Sequence, residues 1–326
     1  MKRFRRGFLL VVAATLACGL DCALAQTRRQ WKVGLLMPNA SDPHFWNALK
    51  AELAKLGYIE GRDIVFVERN AVGNLARFPV LAKELVDARV DLIVAAPTAA
   101  VSAAKQATAT IPVVIATAGD PVASGLVASL ARPGGNITGM SNMAGDVSAK
   151  MFELAQSTLP KLARVAVLWN PANPPNADAA RNVRDAATKA GVAVREFKAA
   201  SPREVDSALG TLTRERADAL IIVSDPFLVS QRDKFGAFGL AQRTPIIAPM
   251  SDFVREGALM SYGTDYADNF RRSAHFVDRI LKGAKPGELP IEQAATFELV
   301  VNKKTAAALG IAIPQSVLIR ATEVIE

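Results

Sequence analysis

Reactive side chains are scarce in this sequence. Its 326 residues include two cysteines and two histidines. Both cysteines, Cys18 and Cys22, fall within the first 25 residues, so the chain beyond them has no thiol for a disulfide or a nucleophile. His44 and His275 stand far apart, in no metal-ligand spacing, and read as surface or packing residues. Aromatic residues make up 6% and the basic residues beyond the first 25 form no run, which argues against a nucleic-acid partner. No strand is followed by G-x-G-x-x-G, and neither G-x-x-x-x-G-K-[ST] nor G-x-S-x-G occurs, so the phosphate loops and the serine-hydrolase elbow are missing. Ser102-Ala103-Ala104-Lys105 fits S-x-x-K, but the S-D-N and K-T-G partners of that motif are not there. These gaps leave no nucleophile–base pair to bet on, no cofactor motif and no metal site, and point to a binding protein rather than an enzyme.

What the chain does have begins with a targeting pattern. Lys2, Arg3, Arg5 and Arg6 precede an apolar run from Phe8 to Leu16, and Ala23-Leu24-Ala25 offers the small residues a signal peptidase reads. The expectation is a signal peptide over 1–25, cleavage before Gln26, and a periplasmic mature protein. The apolar run is too short to span a bilayer, which needs about 20 residues. Arg5-Arg6 leaves the twin-arginine route open, and Cys18 leaves lipidation open. Removing the four cations and Asp21 lowers the net charge from +8 to +5.

The remaining chain alternates short apolar runs with amphipathic stretches. Strands are expected at 32–37, 63–68, 91–95, 112–117 and 136–139, with helices at 43–56, 75–88, 98–107 and 121–131 between them. The rhythm restarts with helix 146–158 and strands at 164–169, 192–197, 219–223, 245–248 and 258–261, with helices 176–190, 202–214 and 229–242 interleaved. Repeated βαβ units predict an α/β protein of two Rossmann-like lobes, each a parallel sheet covered by helices. The expected division is 26–140 for the first lobe and 141–263 for the second. A helix at 266–282 falls within the segment 264–290 that completes the first lobe. The tail 291–326, with a strand at 297–301, crosses back over the hinge; the pattern favours a return to the first lobe and leaves the second open. Gly139 and Gly263 are candidate hinge positions.

Ligands of such sheets bind beyond the carboxyl ends of the strands. Those ends carry small polar residues here, each leading into a helix start whose free N–H groups suit an anion. The candidate ligand-binding residues are Asn39, Ser41, Thr98, Thr117, Asp120, Asn170, Ser224, Asp225 and Tyr262. Asp42-Pro43, Asp120-Pro121 and Asp225-Pro226 also fit plain helix capping, with Pro at the first helical position. Asp120 and Asp225 follow central strands, where a carboxylate is placed to hold a ligand amine. Thr98 and Thr117 suit a ligand carboxylate, and Phe45, Trp46, Trp169, Phe227, Phe253 and Tyr262 are available to wall an apolar group.

Four blocks carry a resemblance over nearly all of the chain beyond 25. They are Leu56-Gly57-Tyr58-Ile59-Glu60-Gly61-Arg62; residues 119–139, GDPVASGLVASLARPGGNITG; residues 259–266, LMSYGTDY; and residues 297–302, FELVVN, with Lys304-Thr305-Ala306 and the ending 321–326. The sequence resembles the substrate-binding proteins of ABC importers of the tryptophan/tyrosine type, which have the periplasmic binding protein type I fold. The resemblance implies a monomer that closes on a small ligand between two lobes and docks on a membrane permease. Family members that bind tryptophan are similar around Ser224-Asp225, but there an asparagine follows the aspartate, where this chain has Pro226. That departure leaves the cargo open between a small polar molecule, an amino acid and an aromatic acid. A sensor presenting the same ligand to a membrane receptor is the other reading of such a chain.

Overall fold

The structure is a computed structural model that describes residues 29–38, 43–142 and 144–326. The expected signal segment and the candidates Asn39 and Ser41 lie outside the described residues. The first unit runs β1 (Trp31–Met37), α1 (Pro43–Lys55), β2 (Ile64–Asn70), α2 (Phe78–Asp87), β3 (Leu92–Ala95), α3 (Thr98–Ala107), β4 (Val113–Ala118) and β5 (Ile137–Ser141). The second runs α4 (Ala144–Thr158), β6 (Arg164–Trp169), α5 (Pro175–Lys189), β7 (Ala193–Lys198), α6 (Pro202–Glu215), β8 (Ala219–Ile222), α7 (Pro226–Val229), α8 (Arg232–Ala241), β9 (Ile246–Ala248), α9 (Ser251–Arg255) and β10 (Met260–Thr264). The last part contributes α10 (Tyr266–Leu281), β11 (Glu292–Gln293), β12 (Phe297–Asn302), α11 (Lys303–Leu309), α12 (Gln315–Leu318) and β13 (Glu323–Ile325).

The strands form two sheets. One has the order β11-β5-β4-β3-β1-β2, the other β13-β12-β10-β9-β8-β6-β7. Every pairing is parallel except β10 with β12. Central strands β3, β4, β8 and β9 are buried at every residue, because helices cover both faces of a parallel sheet. That is why they read as unbroken apolar runs. Edge strand β7 alternates between exposed and covered positions instead. Each buried Leu, Ile or Val contributes about 1.5–3 kcal/mol of transfer free energy.

Strand order reverses at β1/β3 in the first sheet and at β6/β8 in the second. The helices on either side of a reversal go to opposite faces, which leaves a crevice at the strands' carboxyl ends. The chain passes between the sheets three times: after β5, after β10 and between β11 and β12. The three crossings are laced together. The Thr264 hydroxyl donates to the Asn142 carbonyl (2.9 Å), the Asp265 N–H to the Thr296 carbonyl (3.0 Å) and the Ala294 N–H to the Ser141 carbonyl (2.8 Å).

Three expectations need correction. The strand at 297–301 does not return to the first unit; it pairs with β10 in the second sheet, while α10 packs on α1 and β4 of the first. Residues 121–131 are not a helix. Gly125 has φ +65°, which ends the first turn, and the Leu130 carbonyl accepts from the Ile291 N–H instead of closing a helical bond. Gly139 and Gly263 are not free pivots. A Cβ on Gly139 would sit 2.3 Å from the Ile115 carbonyl oxygen, and one on Gly263 would sit 1.9 Å from that of Pro249. Both are glycine because a neighbouring backbone passes against them.

Candidate functional site

The two crevices face each other across a cavity of about 140 Å³. The first unit supplies Pro38 after β1, Ala96–Thr98 after β3, Thr117–Gly119 at the end of β4, and Phe45 and Trp46 on α1. The second supplies Asn173, Pro175 and Asn176 after β6, and Ser224–Pro226 after β8 with Val229 and Met250. Asn142, in the first crossing, and Tyr266 and Phe270 on α10 complete the wall. Tyr266 and Phe270 are four residues apart on a helix, so both face the same side.

Four rings make the apolar wall. Phe45 stacks on Phe270 with centroids 5.7 Å apart and tilts against Tyr266 at 5.8 Å; Trp46 meets Phe270 edge-on at 4.8 Å. Such pairs hold one another in place and present flat apolar faces. The polar wall is built around Asp225. Its carboxylate is 1% exposed and accepts five hydrogen bonds. One oxygen takes the N–H groups of Phe227 (2.9 Å) and Leu228 (3.2 Å), as the N-cap of α7, and the Asn170 amide (3.0 Å). The other takes the amides of Asn173 (3.0 Å) and Asn176 (3.3 Å).

Hydroxyls occupy the rest of the cavity. Thr98 Oγ1 accepts from the Gly119 N–H at 3.0 Å. Ser224 Oγ and the Tyr266 hydroxyl are 2.9 Å apart, a bond that bridges the two units. Burial pushes the pKa of the Tyr266 hydroxyl up, while hydrogen bonds with Ser224 and Asn142 pull it the other way. Thr117 Oγ1 and Asn173 Oδ1 are buried with no partner. Among the described lining residues Asp225 is the one formal charge, and no hydroxyl has a histidine or carboxylate base against it. Nor do the described residues group three or more His, Cys, Asp or Glu side chains to hold a metal.

Of the candidates read from sequence, Thr98, Thr117, Ser224 and Asp225 line this one cavity. Asn170 stands behind it, holding Asp225 and accepting from the Ala172 N–H. Two candidates lie elsewhere. Asp120 is exposed and caps the N–H groups of Val122 and Ala123. Tyr262 stacks on Phe297, with centroids 5.9 Å apart, outside the cavity. Asn142, Asn173, Asn176, Tyr266 and Phe270 were not among the candidates. The every-third spacing of Asn170, Asn173 and Asn176 into a helix start was the available signal for two of them.

A sequence model described as ABC transporter substrate binding protein matches residues 42–325. The tyrosine-binding protein of Clostridioides difficile (strain R20291) is 29% identical over 253 residues, covering 78% of this chain and 72% of that one. A solved ABC domain from Streptococcus pneumonia in complex with L-Trp is 28% identical, with TM-score 0.85, covering 91% of this chain and all of that one. A ligand-free, open structure of a substrate binding protein with adhesive properties from Clostridium difficile is 25% identical, with TM-score 0.68, covering 91% of this chain and 99% of that one.

Proposed function

The chain belongs to the ABC transporter substrate binding proteins, and from that premise we propose that it captures an aromatic small molecule in the cavity between its sheets and hands it to a membrane permease. The observation that carries this reading is the single cavity walled by Phe45, Trp46, Tyr266 and Phe270 on one side and by Asp225 with its asparagines on the other. Rings and hydrogen-bonding groups come from both sheets, so a ligand there touches both. A ligand touching both sheets favours the closed arrangement by its differential affinity for it.

Residues 29–38 and 43–142 with 265–294 move as one lobe, and 144–264 with 296–326 as the other, about the three laced crossings. The described conformation is the closed one. Its match to the tryptophan-bound relative is better than to the open, ligand-free relative, at nearly equal identity and coverage. The Ser224–Tyr266 bond across the cleft supports the same reading. The protein works outside the cytoplasmic membrane, exported by the segment at 1–25, and no described helix is long and apolar enough to cross a membrane. It binds and releases its ligand without converting it.

Calorimetry on the protein freed of copurified ligand tests this. An aromatic compound from a panel of amino acids, phenols and aromatic acids binds one-to-one with a Kd in the micromolar range or below. At a hundredfold excess over Kd it adds about 2.7 kcal/mol to stability. Phe270→Ala weakens that binding at least tenfold. Failure of every aromatic compound to bind, or an unchanged Kd in Phe270→Ala, defeats the reading.

A further inference from the structure

Tyr266 takes part in two arrangements at once. Its ring belongs to the apolar wall of the cavity, 5.8 Å from that of Phe45. Its hydroxyl is 2.9 Å from Ser224 Oγ, two residues past β8 in the other unit. Each partner is held by its own surroundings without this bond. Ser224 precedes Asp225, whose five hydrogen bonds fix the start of α7. Tyr266 is the first residue of α10, whose N-cap Asp265 accepts from the Asp268 N–H at 2.9 Å, and α10 packs on α1 and β4. The Ser224–Tyr266 bond is therefore surplus to the fold of either unit. What it fixes is the separation between them.

In an open cleft, water satisfies both hydroxyls. In a closed one they satisfy each other. The bond then contributes what is left after exchange with water, about three- to tenfold in the closing equilibrium. Removing one hydroxyl leaves the other against an apolar group in the closed cleft, which is at least as costly. Burial pushes the Tyr266 pKa above its usual 10, so the hydroxyl keeps its proton at neutral pH. A bond of this size shifts populations, yet leaves the cleft able to reopen and give up its ligand.

Resting on the two-lobe reading of the cleft, we infer that Tyr266 is a latch: its ring packs on the ligand, and its hydroxyl, bonded to Ser224, holds the lobes shut over it. Both bonded atoms belong to the protein, so the latch engages whether or not the cavity is filled, and the ligand-free protein samples the closed state. A ligand that packs on the ring adds to that closure. The latch acts on escape rather than on capture, because it forms only once the lobes have met.

A pair of spin labels reads the closure directly. The chain beyond residue 25 has no cysteine, so Val80→Cys on α2 and Lys189→Cys on α5 place labels at two exposed positions. α2 packs on edge strand β2 and α5 on edge strand β7, the sheet edges away from the crossings, so opening lengthens the distance between them. In the ligand-free mature protein the distances include the shorter, closed one. Tyr266→Phe, which keeps the ring, lowers the ratio of shorter to longer distances about three- to tenfold. Ser224→Ala does the same, and the double variant loses no more than either, because all three remove one bond. Should Tyr266→Phe not fold, Ser224→Ala decides by the same ratio. Stopped-flow mixing with L-tryptophan or L-tyrosine shows dissociation faster by that factor, with an association rate that does not fall. A parent with the longer distance alone, a distribution that neither variant changes, or losses that add in the double variant overturns the latch. None of these touches the aromatic reading, which calorimetry decides; and if neither amino acid binds, the distances measured without ligand still decide the latch.

Discussion

Glu298 shows how much one residue's setting can contribute. It lies on β12 and lines a further cavity with His44, Asp252, Arg255 and Asp265. Burial raises its carboxyl pKa above the usual 4.5; Asp265 and Glu323 raise it further, while Arg255 and His44 pull it down. A carboxyl whose folded pKa is raised is costly when ionised. The protein therefore loses stability as pH climbs from 4.5 through the raised value, and recovers it as pH falls back. Solvent reaches about half of the side chain's surroundings, so the effect is small. Glu298→Gln is expected to raise the melting temperature by roughly 1–2 °C at pH 7 and to leave it unchanged below pH 4.5. Thermal melts of both proteins across that range check the sign; a variant that melts lower at pH 7 means that Arg255 or His44 holds Glu298 as an ion pair.

At the scale of elements, the sequence was most legible where covalent order decides the outcome. Central strands are apolar throughout because both faces are covered, and Gly57, with φ +96°, ends the α1 turn where a C-terminal glycine is expected. Pairing between distant segments was not legible. Residues 126–130 have helical spacing of Leu126, Val127 and Leu130, yet Leu130 pairs with Ile291, far along the chain. Phe297–Asn302 reads as a strand from composition, but its partner β10 is set by register, which composition does not carry. The same holds in the cavity. Asp225 was visible as a carboxylate after a strand and as a helix cap; that three asparagines enclose it was not, because those contacts span about 50 residues. Asp120, in the same Asp-Pro pattern, caps two N–H groups outside the cavity lining. Asp120→Ala is expected to cost about 1 kcal/mol by leaving the Val122 and Ala123 N–H groups uncapped. Ligand affinity should stay within twofold. Urea denaturation and calorimetry read the two quantities separately, and a large affinity loss returns Asp120 to the site.

At the scale of the whole molecule, Gly119 stands close against Pro175 on the opposite side of the cleft. A Cβ on Gly119 would lie 3.0 Å from Pro175 Cβ and 3.2 Å from its Cγ. Gly119 directly follows β4 on one side of the cleft, and Pro175 opens α5 on the other. Within a lobe such a clash would strain the core. On the two-lobe motion proposed above it is relieved by opening the hinge. Gly119→Val should therefore fold normally, with a melting temperature in the absence of ligand within a degree or two of the parent. It should pay for closure instead. Overpacking of this kind costs about 1–3 kcal/mol, and each 1.4 kcal/mol of closure free energy lowers ligand affinity about tenfold. Solution scattering is expected to show a larger radius of gyration with ligand present than the parent has, since the bound lobes cannot meet. A variant that binds as the parent does would mean that the ligand is held without the lobes closing to this contact. A variant that fails to fold would place the Gly119–Pro175 contact inside one rigid body, and with it the hinge somewhere other than the three crossings.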